Sequence, residues 1–75
     1  MKIDLTPIRR ALRDADLDAR ERAAALRSLP RLPAPILVAL DKTLSDCAEP
    51  EEFDLAGRLI AHVAIHTAEG SAHAA

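Results

Sequence analysis

The sequence has little that would build a β-sheet. Phe53 is its only aromatic residue, and Trp, Tyr, Asn and Gln are absent from the 75 residues. Valine occurs only at positions 38 and 63, and no run alternates apolar with polar residues as a half-buried strand would. Alanine and leucine dominate instead, and both favour helix. These features predict an all-α protein.

Features of secreted and membrane proteins are also missing. Cys47 is the only cysteine, so it cannot form an internal disulfide, and the segment MKIDLTPIRR lacks the apolar core of a secretory signal. No apolar run approaches the roughly 20 residues of a membrane span. We therefore expect a soluble, cytoplasmic protein. The excess of Arg over Lys, together with abundant Ala, is typical of a GC-rich bacterial or phage genome.

The chain is short, which limits the core that it can bury. With 75 residues it fits one domain, predicted to cover residues 1–70. Chains of this size bury a small fraction of their surface, so a partner or a second copy would add stability. The sequence therefore predicts a homodimer.

Proline positions divide the domain into a small bundle of four short helices. Pro7, Pro35 and Pro50 each fit a first helical turn, where the missing N–H costs nothing. The segment LPRLPAP holds three prolines and acts as a stiff connector. The predicted helices cover residues 7–15, 19–29, 35–47 and 50–69.

Capping residues support these boundaries. Thr6 is the predicted N-cap of the first helix, and Asp18 with Glu21 forms an acidic variant of the capping box before the second. Gly70 is predicted to end the fourth helix. Residues 71–75, SAHAA, offer neither bulk nor caps, and we expect a disordered tail there.

The third helix has the cleanest amphipathic pattern, and Cys47 lies on its apolar face. At 100° per residue, the face falls within roughly 100° of the helix circumference. We therefore predict that Cys47 is a buried small hydrophobe and not a nucleophile. The face consists of Ile36, Leu37, Leu40, Leu44 and Cys47.

The fourth helix is apolar over an arc too wide for one contact. Its bulky side is predicted to pack against the first and third helices. Its smooth side lets a second backbone approach closely, which makes it the predicted dimer interface, with the second helix of the same chain as the alternative cover. The bulky side holds Phe53, Ala56, Leu59, Ile60 and Val63. The smooth side holds Gly57, Ala61, Ala64 and Ala68.

His62 and His66 have the i, i+4 spacing of metal ligands, with Glu69 three residues further on. Two imidazoles and one carboxylate are fewer than the four ligands of structural zinc, and the pattern lacks the general-base Glu of H-E-x-x-H. We therefore interpret the two histidines as surface or interface residues and predict no functional metal site. Adventitious zinc or nickel binding is the open alternative.

Charge is divided between the two halves of the chain. Residues 1–31 hold eight basic and five acidic side chains, for a net charge of +3, while the rest holds two basic and seven acidic, for −5. The basic half suggests a helix-turn-helix-like nucleic-acid module, although no Asn, Gln or stacking aromatic supports base contacts. The candidate basic surface consists of Arg9, Arg10, Arg13, Arg20 and Arg22.

No catalytic motif or cofactor loop is present, and two glycines leave no Gly-rich segment to hold phosphate. We therefore expect a non-enzymatic protein without a cofactor. The surplus apolar surface of the fourth helix and the divided charge favour a protein-interaction module, an adaptor, regulator or stoichiometric inhibitor of a larger protein. A phage or mobile-element origin would suit this size. The nucleic-acid module is the alternative function, and the partner protein is not identified by the residues.

Overall fold

The computed structural model describes the backbone of residues 3–74 and the side chains of residues 3–67. Within these residues the regular structure is entirely helical, which confirms the predicted all-α bundle. The helices are α1 (Thr6–Asp14), α2 (Ala19–Ser28), α3 (Ala34–Ser45) and α4 (Pro50–Ala74), with a 3₁₀ turn at Leu29–Arg31.

Local signals account for the beginnings of the helices, with one correction. Asp18 Oδ1 accepts a hydrogen bond from the Glu21 N–H at 2.7 Å, as predicted for the start of α2. Thr6 is not the N-cap of α1, because the helix already includes it. Asp4 Oδ1 accepts the Thr6 N–H at 3.0 Å and so satisfies a free donor of the first turn.

The ends of α3 and α4 differ from prediction. α3 stops at Ser45, so Cys47 lies beyond it and is only half-buried; the prediction of a buried thiol is wrong. α4 passes through Gly70 and continues to Ala74, so the predicted end at Gly70 is wrong and the backbone of residues 71–74 is helical. Glycine ends a helix only when it adopts the left-handed conformation, and no described glycine has a positive φ.

The core lies where α1, α2 and α3 cover α4. α4 is 25 residues long and packs mainly against α2 and α1, while α3 packs against α1 and α4. Ile8, Leu12, Leu29 and Ile60 are the largest fully buried side chains. The other buried hydrophobic residues are Ala11, Ala15, Ala25, Leu32, Leu37, Leu40, Leu44, Ala56, Ala61 and Ala64. The core is therefore rich in alanine, and helix backbones approach one another closely.

The side of α4 that enters the core combines the smooth side with Ala56 and Ile60, which were predicted to lie on the bulky side. Ala61 and Ala64 are fully buried within the single chain. A Cβ added to Gly57 would lie 2.6 Å from the Ala15 Cβ and 2.7 Å from the Ala11 carbonyl oxygen. Only glycine fits there, because such atoms do not approach so closely.

Candidate acidic groove and surface of helix 4

A groove opens between one face of α1, one face of α3 and the first turn of α4. Its volume is about 860 Å³. α1 and the residues before it contribute Asp4, Thr6, Pro7, Arg10, Ala11 and Asp14. The α3 side contributes Asp41, Leu44, Ser45 and Ala48, and α4 contributes Pro50, Phe53 and Asp54. We call this feature the acidic groove, since four of its residues are aspartates and Arg10 is its only basic residue.

Helical spacing explains why these residues share one groove. Pro7, Arg10, Ala11 and Asp14 follow one another at intervals of three, one and three, which places them on one face of α1. The α3 residues and the α4 residues repeat the same intervals of three and one. Three helix faces that are distant in sequence therefore meet at one concave surface.

Apolar side chains in the groove are within reach of solvent. Phe53 keeps 44% of its surface exposed although it is the only aromatic residue of the chain. Leu44 is buried beneath the groove at 6% exposure. Phe53 and Leu44 together give the groove an apolar surface, and the phenyl ring remains accessible to a partner.

The aspartates of the groove differ in the hydrogen bonds and ion pairs that their carboxylates form. Asp54 accepts the Asp16 N–H at 2.7 Å and lies 2.7 Å from the Arg58 guanidinium, so its charge is balanced. Two hydrogen bonds from Thr6 lower the pKa of Asp4 from its ordinary value. The backbone N–H has the larger effect and the hydroxyl the smaller one. Asp4 is therefore ionised at neutral pH.

Asp14 and Asp41 both line the groove, from α1 and α3 respectively. Within residues 3–67 neither carboxylate has a hydrogen-bond or salt-bridge partner. These two groups are available to a cationic ligand. No sequence motif marked the groove, because its walls come from separate helices.

The predicted interface stripe is occupied within the chain. Gly57, Ala61 and Ala64 are buried, and Gly57 lies directly against α1. These three residues are covered within the chain, as in the alternative to the dimer interface. The cover comes from α1 as well as from the predicted α2. A dimer through them would require the bundle to open. The side chain of Ala68 lies outside the described residues.

The outer side of α4 carries exposed leucines instead. Leu55 and Leu59 are 62% and 50% exposed. The prediction that Leu59 packs into the core is therefore wrong. His62 and His66 are exposed on the same helix, with ring centroids 4.6 Å apart in an edge-to-face arrangement. Among the described side chains, no three potential ligands are grouped to hold a metal ion, and the side chain of Glu69 lies outside them.

The arginines of the candidate basic surface differ in exposure. Arg9, Arg10, Arg13 and Arg20 are exposed, and Arg10 lines the groove. Arg22 is half-buried: its Nε donates to the Leu12 carbonyl, and its Nη2 donates to those of Ala15 and Leu17 at 3.0 Å. Arg22 therefore binds backbone carbonyls at and beyond the end of α1, and its guanidinium is directed away from a solvent ligand.

Comparisons with protein-family models, curated proteins and solved structures give no match to this chain. In residues 3–74, no helix has both the length and the apolar character that crossing a bilayer demands.

Proposed function

We propose that the protein is a non-enzymatic interaction module that binds a segment of a larger protein in the acidic groove. The observation that carries this proposal is that the exposed Phe53 lines the same groove as two unpaired carboxylates, Asp14 and Asp41. A large apolar side chain at a concave surface typically marks a binding site. The module would act stoichiometrically, as an adaptor, regulator or inhibitor.

The chemistry of the groove favours a basic amphipathic segment. An apolar anchor of the partner would contact Phe53 and Leu44, while its Lys or Arg side chains would reach Asp14 and Asp41. Long basic side chains suit such a site because their methylene stems cover apolar surface while the charge stays at the rim. A helical partner laid along a groove is a common mode of peptide recognition.

Phosphate is a poorer ligand for this surface. Four carboxylates line the groove and would repel a nucleic-acid backbone. Arg22 belongs to the helix that would read bases, yet its guanidinium is held by three backbone carbonyls. The nucleic-acid alternative therefore gains no support from an observed contact.

The proposal includes a cytoplasmic location. Cys47 is half-buried, and its Sγ donates to the Thr43 carbonyl at 3.2 Å. A single partly accessible thiol suits a reducing compartment.

Selection from a displayed library of random 16-residue peptides tests this function. We expect enriched peptides to combine apolar residues at helical spacing with Lys or Arg, and to lose binding to Phe53→Asp. Binding should weaken at least tenfold between low and high salt, because opposite charges are screened. Val38→Asp is the matched control, since Val38 is 55% exposed and does not line the groove. Peptides without basic residues, or peptides that bind Phe53→Asp equally well, would contradict the proposal.

A further inference from the structure

The exposed side of α4 carries a heptad pattern that none of the described side chains, residues 3–67, covers. Successive members are separated by three, four, three and four residues, which is the spacing of a coiled-coil seam. All of them are exposed, and the two leucines keep half or more of their surface in solvent. We call this set the α4 seam; it consists of Glu52, Leu55, Leu59, His62 and His66.

We propose that the α4 seam pairs with the seam of a second copy of this chain in an antiparallel two-fold dimer centred on Leu59. A two-fold contact uses the same patch on both copies, so one seam is sufficient. The seam follows a 3.5-residue period, which lets apolar residues stay in contact along two helices. The helix is long enough, since residues 52–66 alone span about 21 Å at 1.5 Å per residue.

Charge complementarity selects the second copy and its orientation. Glu52 and His66 lie seven residues before and after Leu59, on the same side of the helix. An antiparallel pair centred on Leu59 therefore places each Glu52 opposite His66 of the copy, where the imidazole can donate to the carboxylate. A parallel pair would place the two Glu52 carboxylates opposite each other, which is unfavourable.

The interior of the seam fits the same arrangement. Leu59 faces its own copy at the two-fold axis, and Leu55 meets the region of His62 and Val63, which lie three and four residues beyond Leu59. Val63 is partly buried at the edge of the core, so it extends the apolar contact. Two leucines per copy make a small interface, and we expect a dissociation constant on the order of 100 μM.

The dimer leaves the acidic groove open. α4 contributes Pro50, Phe53 and Asp54 to the groove, and none of these belongs to the seam. The two sites share no residue, and either proposal can fail without the other.

Sedimentation equilibrium between about 10 μM and 1 mM tests the dimer, a range set by the small interface. The average mass should rise from 8.1 kDa toward twice that value. Leu59→Asp places two carboxylates at the axis and should keep the helical circular dichroism but stay monomeric, an affinity loss of at least tenfold. Val38→Asp, an equally exposed site outside the seam, should dimerise like the wild type. A wild type that stays at 8.1 kDa, or a folded Leu59→Asp that still dimerises, would overturn the proposal.

Disulfide trapping tests the orientation and does not depend on the folding of Leu59→Asp. In a Cys47→Ser background, a mixture of Glu52→Cys and His66→Cys should give the mixed disulfide. Glu52→Cys alone should give none, because its two copies would lie about 21 Å apart, far beyond disulfide reach. Preferential cross-linking of Glu52→Cys to itself, or no mixed disulfide, would contradict the antiparallel pair.

Discussion

Replacing Gly57 with alanine should destabilise the protein even though alanine is the better helix former. Helix propensity alone would raise stability by about 1 kcal/mol. The new Cβ, however, would lie 2.6 Å from the Ala15 Cβ and 2.7 Å from the Ala11 carbonyl oxygen, where carbon atoms prefer roughly 3.5–4.0 Å. Neither neighbour can rotate away, because one is a backbone atom and the other is attached directly to the backbone. α1 and α4 would have to move apart by about 1 Å.

That separation loosens the packing of Ile8 and Leu12, which are fully buried on α1. Overpacking of this kind costs typically 1–3 kcal/mol, and the rigidity of the two neighbours favours the upper part of that range. After subtraction of the propensity gain, we expect a net loss of about 1–2 kcal/mol, or roughly 5–15 °C in Tm for a chain of this size.

Urea unfolding followed by circular dichroism measures this loss as a lower midpoint at unchanged slope. Ala23→Gly, at an exposed position of α2, measures the propensity term by itself and should cost about 1 kcal/mol. Gly57→Ala combined with Ala15→Gly should recover part of the loss, since one of the two close contacts is removed. A gain in stability for Gly57→Ala would refute the close approach of α1 and α4.

Four further predictions concern single side chains. Arg22→Met should cost about 2 kcal/mol in urea unfolding, because three carbonyls lose a charged donor, whereas exposed Arg20→Met should cost less than about 0.5; equal costs would contradict the capping role. Ala61→Glu buries an unpaired carboxylate at a fully buried site and should unfold the monomer, as read by circular dichroism; a folded variant would mean that the stripe is accessible. Cys47 should react with a thiol reagent only a few-fold more slowly in native than in denatured protein, because the thiol is half-buried; strong protection would contradict its position. Equimolar zinc should change Tm little, and a large shift that His62→Ala removes would restore the metal site.

The helix beginnings could be predicted because their causes are local. Pro50 begins α4 as expected, and the hydrogen bond of Asp18 to the Glu21 N–H lies within four residues of sequence. The end of α3 was harder to predict. The helix ends at Ser45, two residues before its predicted end at Cys47, and the thiol is half-buried instead of buried. Helix ends fray, and no glycine or proline marks the position.

The orientation of α4 could not be predicted from its own pattern. Apolar residues cover so much of this helix that several rotations bury a similar number of them. Gly57 held the decisive signal, because a glycine inside a helix has a cost and often marks a close backbone approach. With Gly57 against α1, Leu55 and Leu59 necessarily face solvent.

The acidic groove could not be predicted because it depends on the tertiary arrangement. Asp14, Asp41 and Phe53 are far apart in sequence, and none lies in a motif. Their chemistry becomes a site only when α1, α3 and α4 meet.

Photo-crosslinking from position 53 tests the proposed function most directly. With p-benzoylphenylalanine in place of Phe53, irradiation in a cell lysate should give a single protein adduct of one-to-one stoichiometry. The adduct should be insensitive to nuclease, absent when the label is placed at Val38, and lost when Asp14 and Asp41 are both changed to Lys, because the charge complementarity is reversed. A nucleic-acid adduct, or a protein adduct that persists after both charge reversals, would contradict a groove that binds a basic protein segment.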